Sequence, residues 1–312
     1  FVLNAAYSYF VAHRARRNLT RLFGSYVPSE LVEVMLDDAQ HFSMMAQNKE
    51  LTVMFCDLRG FTKLAEGKDP LQVQTLLNRI FEGLTEVIRA NGGTIDKYMG
   101  DCIMAFWGAP IESSEHPQLA LRAALQMQEV LHEVDAQLRA EGLLGADQAV
   151  LRAGLALTTG VMCVGNMGTS LRQAYTVIGD AVNLCARLER LSRVYEVDLI
   201  VSEGTRNANK DWAWQELDTV QVKGKSTPER IFTPVGLKAT LSEEKRNELK
   251  AWKLFLRAYR AGQWEDSELY LFNIMRGDQA KRPLYQLYAE RVRLLRDADP
   301  SNWQGIAMMG EK

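Results

Sequence analysis

Cysteine and histidine are scarce in this chain, and neither falls into a pattern that does chemistry. The 312 residues include four cysteines, Cys56, Cys102, Cys163 and Cys185. They have apolar neighbours and no Cys-x-x-Cys spacing, so they read as buried thiols of a reducing compartment and exclude a disulfide framework or a cysteine-built zinc site. The four histidines, His13, His41, His116 and His132, lie outside every motif, which argues against a histidine-based nucleophile or zinc mechanism. An excess of charge of one sign is also missing. A net charge of −2 offers no basic footprint, so no nucleic-acid partner is expected. Long apolar runs are lacking too. Phe1 to Ala12 is mostly apolar and is followed by His13-Arg14-Ala15-Arg16-Arg17, the flank expected where a spanning helix emerges on the cytoplasmic side. A span needs about 20 apolar residues, so two readings stay open: the end of the last membrane helix of a longer protein, or an ordinary amphipathic helix.

What the chain does have is a pair of aspartates at strand ends beside glycine turns. Val53 to Cys56 reads as a short buried strand. Gly60-Phe61-Thr62 then starts a new element, so the strand end and its backbone N–H groups face one opening where a triphosphate could sit. Thr94 to Met99 and Cys102 to Trp107 are β-rich runs split by Gly100-Asp101, a loop of the kind that closes hairpins, which puts Asp101 at a hairpin tip. Asp57 and Asp101 together suit Mg2+, which prefers oxygen ligands and few carboxylates; each alone reads equally well as a turn residue. Asn183 and Arg187, four apart in a predicted helix, share one face. Arg190 and Arg193 read as ordinary surface charges.

Four separated blocks carry a resemblance to the catalytic domain of class III nucleotidyl cyclases, specifically bacterial adenylate cyclases with this domain after a membrane-embedded sensor. The blocks are Phe55 to Thr62, Asp96-Lys97-Tyr98-Met99-Gly100-Asp101, Tyr175 to Glu189, and Val222-Lys223-Gly224-Lys225. The resemblance implies an α+β fold, a ferredoxin-like α/β sandwich, acting as a homodimer with sites between subunits. It implies ATP as substrate, 3',5'-cyclic AMP and pyrophosphate as products, and paired Mg2+ or Mn2+ ions in each active site, held at Asp57, Leu58 and Asp101 beside the substrate-binding Gly60, Phe61 and Thr62. By the same resemblance Asn183 orients the ribose, Arg187 stabilises charge on the α-phosphate in the transition state, and Lys223 holds the terminal phosphates, with Lys225 a weaker candidate. The aspartates of one subunit then work with Lys97, Thr176, Asn183, Arg187 and Lys223 of the other.

Lys97 and Thr176 take the base-reading positions. A lysine is donor only and suits adenine N1, whereas guanine presents an N1–H to it. Thr176, standing where many adenylate cyclases have Asp, can accept from the 6-amino group but can also donate, so it is ambiguous alone; Lys97 carries the ATP reading. A guanylate cyclase of the same fold is the rival. A catalytically silent signalling module would lack a metal aspartate or the arginine. No Gly-Gly-Asp-Glu-Phe turn occurs, which excludes a diguanylate cyclase.

The chain divides into residues 1–45, the end of a membrane helix and a juxtamembrane connector in which Ser29 caps a short helix; 46–237, the catalytic domain; and 238–312, a helical extension. Within the middle stretch Asp69-Pro70 opens an amphipathic helix, a second runs from Leu119 to Leu138, and Leu151 to Thr159 and Val161 to Val164 read as strands joined at Gly160. Strands near Leu199 to Ser202, Trp214 to Val222 and Arg230 to Val235 follow. The extension reads as helices Ser242 to Ala261, Trp264 to Met275 and Arg282 to Leu295, a tetratricopeptide-type hairpin short of an independent array, serving docking or dimer bracing. The expected setting is the cytoplasmic side of an inner-membrane protein with an upstream sensor domain.

Overall fold

The computed structural model describes residues 45–145, 148–222, 227–276, 283–298 and 303–309. The expected membrane helix and connector, and Lys223 and Lys225, lie outside these residues.

Alternating side chains on the first strand split the core into two layers. On β1 (Gln47–Leu58), Met54, Cys56 and Leu58 pack with Ile80, Leu84 and Ile88 of a helix and with Met127 and Leu131 of a second. Leu51 and Val53 face the other side, with Met104, Phe106, Leu184 and Leu188. A short helix, α1 (Phe61–Ala65), leads to α2 (Pro70–Ala90), whose N-cap Asp69 accepts from the Leu71 N–H at 3.1 Å, with Pro at the first turn as the sequence predicts. The hairpin β2 (Thr94–Met99) and β3 (Cys102–Trp107) and helix α3 (His116–Ala140) complete the first half.

β4 (Ala153–Thr169) runs unbroken for 17 residues, so the predicted break at Gly160 does not occur. Gly160 pairs with Leu51 in the antiparallel ladder to β1, which carries the strand through. The return strand β5 (Arg172–Ile178) feeds α4 (Asp180–Val194). Then come β6 (Leu199–Ser202), α5 (Glu203–Ala208), β7 (Trp212–Val222) and β8 (Glu229–Leu237). Among the described residues the sheet order is β2-β3-β1-β4-β6-β8-β7-β9, where β9 is Ala307–Met309, with β5 on β4.

α6 (Glu243–Arg260), α7 (Trp264–Met275) and α8 (Pro283–Ala298) form the predicted helical extension. It is no loose appendage. Trp252, Phe255, Tyr259, Tyr285 and Tyr288 join the core layer of α4, and β9 (Ala307–Met309), unforeseen from the sequence, adds to β7 in parallel. A bulge around Leu217 interrupts the β7–β8 ladder. The extension serves the neighbouring carbonyls: Trp252 Nε1 donates to Glu216 O at 2.6 Å and the Tyr288 hydroxyl to Leu217 O at 2.5 Å. No helix among the described residues is long and apolar enough to cross a membrane. Of the cysteines, Cys56 and Cys185 are buried as expected, but Cys102 and Cys163 are half-buried.

Candidate active site

Asp57 stands at the end of β1 opposite Cys102, and Asp101 sits in the adjoining turn, where Gly100 takes a left-handed φ of 66° that a side chain would strain. The Leu58 N–H points to Asp101 O at 3.4 Å, tying the two strand ends. The carboxyls feel each other: burial first, and the Asp101 charge second, push the Asp57 pKa up, while Arg193 opposes them. Arg193, read from sequence as a surface charge, pairs with Asp57 through Nη2. The Arg193 side chain is 55% exposed, yet the pair brings the last turn of α4 to the aspartate corner.

A third acid lies behind the pair. Glu189 is buried, and burial, then the Asp57 charge, raises its pKa to about 7. Its Oε1, Ser192 Oγ and Arg59 Nε are buried with no hydrogen-bond partner among the described residues. In the sequence Glu189 is marked only by its charge on a largely apolar helix face.

The metal residues fit a hard divalent cation. Asp57 and Asp101 bring carboxylate oxygens to one half-buried corner where their charges repel, and Leu58, whose side chain is buried, has only a backbone carbonyl to contribute, again oxygen. Among the described residues no cluster of three or more His, Cys, Asp or Glu has metal-binding spacing, so a cation here must draw other oxygens from substrate or solvent. Gly60 is the N-cap of α1. The Phe61 side chain is buried in the core, so beside Thr62, which is exposed, it can offer substrate only its backbone N–H, a first-turn donor with no intrahelical partner.

Asn183 lies exposed in the first turn of α4 and Arg187 half-buried one turn on. Lys97 and Thr176, from β2 and β5, come together through Asp96. Lys97 Nζ is 3.0 Å from Asp96 Oδ1, and the Thr176 hydroxyl donates to Asp96 Oδ2. Asp96 was part of a quoted motif without a role. Among the described residues no hydrogen bond or ion pair links the Asp57–Asp101 corner to Lys97, Thr176, Asn183 or Arg187.

Residues 43–233 match the family of adenylate and guanylate cyclase catalytic domains. The chain belongs to that family. The cyclase chain is 34% identical over 216 residues to adenylate cyclase 1 of Rhizobium meliloti, covering 69% of this chain and 32% of that protein. It is 30% identical over 217 residues to an adenylate cyclase of Anabaena cylindrica, covering 67% and 42%. The chain thus spans less than half the length of either relative. Among solved structures it resembles the adenylyl cyclase CyaB from P. aeruginosa, at 33% identity and a TM-score of 0.58 over 64% of this chain and 100% of that one. It also resembles the guanylyl cyclase Cya2, at 32% and 0.56 over 63% and 97%. The likeness extends to the mixed sheet with its helices, as expected for the fold.

Proposed function

We propose that this chain is the catalytic portion of an adenylate cyclase that converts ATP to 3',5'-cyclic AMP and pyrophosphate as a homodimer with shared sites. The observation that carries the reading is Lys97 and Thr176 held on one buried carboxylate, a donor and a hydroxyl side by side for a purine edge. The named relatives support the chemistry; the likeness to a guanylyl cyclase makes GTP the competing substrate.

In the proposed reaction the ribose 3'-hydroxyl loses its proton and attacks the α-phosphorus in line, expelling pyrophosphate. Asp57, Asp101 and the Leu58 carbonyl would hold Mg2+ or Mn2+, which when bound acidifies the hydroxyl and offsets phosphate charge. Arg187 meets the charge growing on the α-phosphate with a planar guanidinium. Asn183 holds the ribose, Lys223 the terminal phosphates, and the backbone of Gly60, Phe61 and Thr62 the phosphate chain. That no hydrogen bond or ion pair among the described residues joins the aspartate corner to the Lys97–Thr176 pair supports assembly of each site from two chains.

The proposal extends to the whole protein. Residues 1–45 link an upstream membrane sensor to the catalytic stretch 46–237, with 238–312 bracing it, on the cytoplasmic side of an inner membrane. The test is product formation by the purified chain with ATP or GTP and Mg2+ or Mn2+. Cyclic AMP from ATP, rising steeply with protein concentration, is expected; cyclic GMP as main product, or no product with either, overturns it.

A further inference from the structure

We propose that Asp96 determines the purine specificity of this site, by accepting the hydrogen bond of the Thr176 hydroxyl and so leaving that hydroxyl only lone pairs to offer the base. The inference rests on the adenylate cyclase reading above and adds to it a positioning residue that does not itself touch the base.

The backbone puts Asp96 in an unusual place. In the β2–β3 ladder Ile95 pairs with Ala105 and Lys97 with Met104, which leaves Asp96 unpaired in a bulge. In a regular strand Asp96 and Lys97 would point to opposite faces; the bulge lets both reach the same side. The Asp96 side chain is 1% exposed and that of Lys97 46%. A buried carboxylate needs partners for its charge, and it has one on each oxygen, Lys97 on Oδ1 and Thr176 on Oδ2. Thr176 is itself buried and pairs with Gly165. A Cβ at Gly165 would come within 2.7 Å of the Ala46 backbone, so only glycine fits opposite Thr176.

The polarity of the pair follows from proton counting. A carboxylate accepts only, so the hydrogen bond between Asp96 and Thr176 must use the threonine proton. The hydroxyl then has only lone pairs for a ligand. Lys97 has three N–H bonds, spends one on Asp96 and keeps donors for the solvent side. Donor beside acceptor matches adenine, which offers an acceptor at N1 and donors on the 6-amino group. Guanine, with a donor at N1 and an acceptor at O6, is mismatched twice. The ambiguity of an isolated threonine is thereby removed by its neighbour.

Asp96→Asn tests this. The Lys97 ammonium orients the amide oxygen toward itself, so the amide N–H faces Thr176, which must accept and turns its own proton outward toward the base. The ATP-to-GTP ratio of kcat/KM is expected to fall by about tenfold. Preference for ATP over a purine riboside triphosphate lacking the 6-amino group should shrink similarly. Loss of structure would depress every substrate alike and leave both ratios unchanged. Thr176→Val, which keeps the shape and drops the hydroxyl, probes the same contact if the first variant does not fold; it should also lose the preference for the 6-amino group. A wild-type chain that prefers GTP overturns the adenylate cyclase reading itself. An ATP-selective wild type whose ratios survive Asp96→Asn overturns only the role of Asp96; ratios that survive Thr176→Val overturn the contact of Thr176 with the base as well.

Discussion

Arg291 of α8 donates to Asp218 of β7 at 2.9 Å, with the Asp218 side chain completely buried. The hydroxyl of Tyr195, which caps α4, donates to the same oxygen at 2.6 Å. Burial, and then the Asp218 charge, holds the Tyr195 hydroxyl far above its ordinary pKa range, so it remains a donor. The guanidinium also lies 5.2 Å from the Tyr195 ring centroid and 5.3 Å from that of Tyr288. One buried carboxylate thus joins the C-terminal helices to the helix that carries Asn183 and Arg187.

Arg291→Met should therefore cost about 3–5 kcal/mol, the price of an unpaired buried charge. Adding Asp218→Asn should recover part of it, because the neutral amide can still accept from Tyr195, though its NH2 then faces the Thr219 N–H that donates to Asp218 Oδ1 at 2.8 Å. Urea unfolding of both variants measures the difference. Equal loss in single and double variants would show that ring packing, and not the charge, sets the cost.

Mixing Asp57→Ala chains with Arg187→Ala chains should restore activity that neither has alone. On the proposed dimer with shared sites, a mixed pair retains both residues in one site, so recovery toward about a quarter of wild-type specific activity is expected from random pairing. No recovery, with dimers demonstrated by sedimentation, would mean that each chain builds its own site.

His116 gives an acid-sensitive contribution to stability. It begins α3, is buried, and is hydrogen-bonded to Thr52 at 2.8 Å; burial lowers its pKa, with Glu50 opposing. The unfolded chain then binds a proton at higher pH than the folded one. Stability from this group is complete above about pH 6.5 and is lost as pH falls below it, at no more than about 1.4 kcal/mol per pH unit. His116→Gln should flatten that part of the profile between about pH 7.5 and pH 5.5, measured as urea midpoints.

Glu189 acts in the opposite direction. With its folded pKa raised to about 7, the native state holds the proton that the unfolded state releases near 4.5, so stability declines as pH climbs through that window. Glu189→Gln should add about 1–3 kcal/mol at about pH 8.5 and almost nothing near about pH 4. Thermal unfolding at the two pH values checks it; an equal gain at both would point to packing and not to charge.

Much of the fold was legible because its signals are local. Asp69-Pro70 announced α2, with the side-chain cap observed, and Gly100-Asp101 announced the β2–β3 turn. Gly160 misled, because a glycine breaks a strand only where no partner holds it, and Leu51 does. β9 carried no usable pattern in its few residues; the pairing with β7 creates it. In the site, Asp57 and Asp101 stood out by type and by their place beside glycine turns, whereas Asn183 and Arg187 took their expected roles from the family resemblance. Arg193 could not be singled out, since its importance lies in reaching Asp57 across 136 positions of chain.

The order of residue types along the chain determined which chemistry is possible here: hard oxygen ligands, a guanidinium and amide on one helical face, and an amine for a purine edge. Tertiary structure alone decided how those groups are polarised. A bulge turns Asp96 toward Lys97, a strand brought from 80 positions away supplies Thr176, and shielding from water makes the direction of one shared proton count. Hydrogen-bond direction inside a protein depends on which partner has a proton to give, and that partner is chosen by the fold.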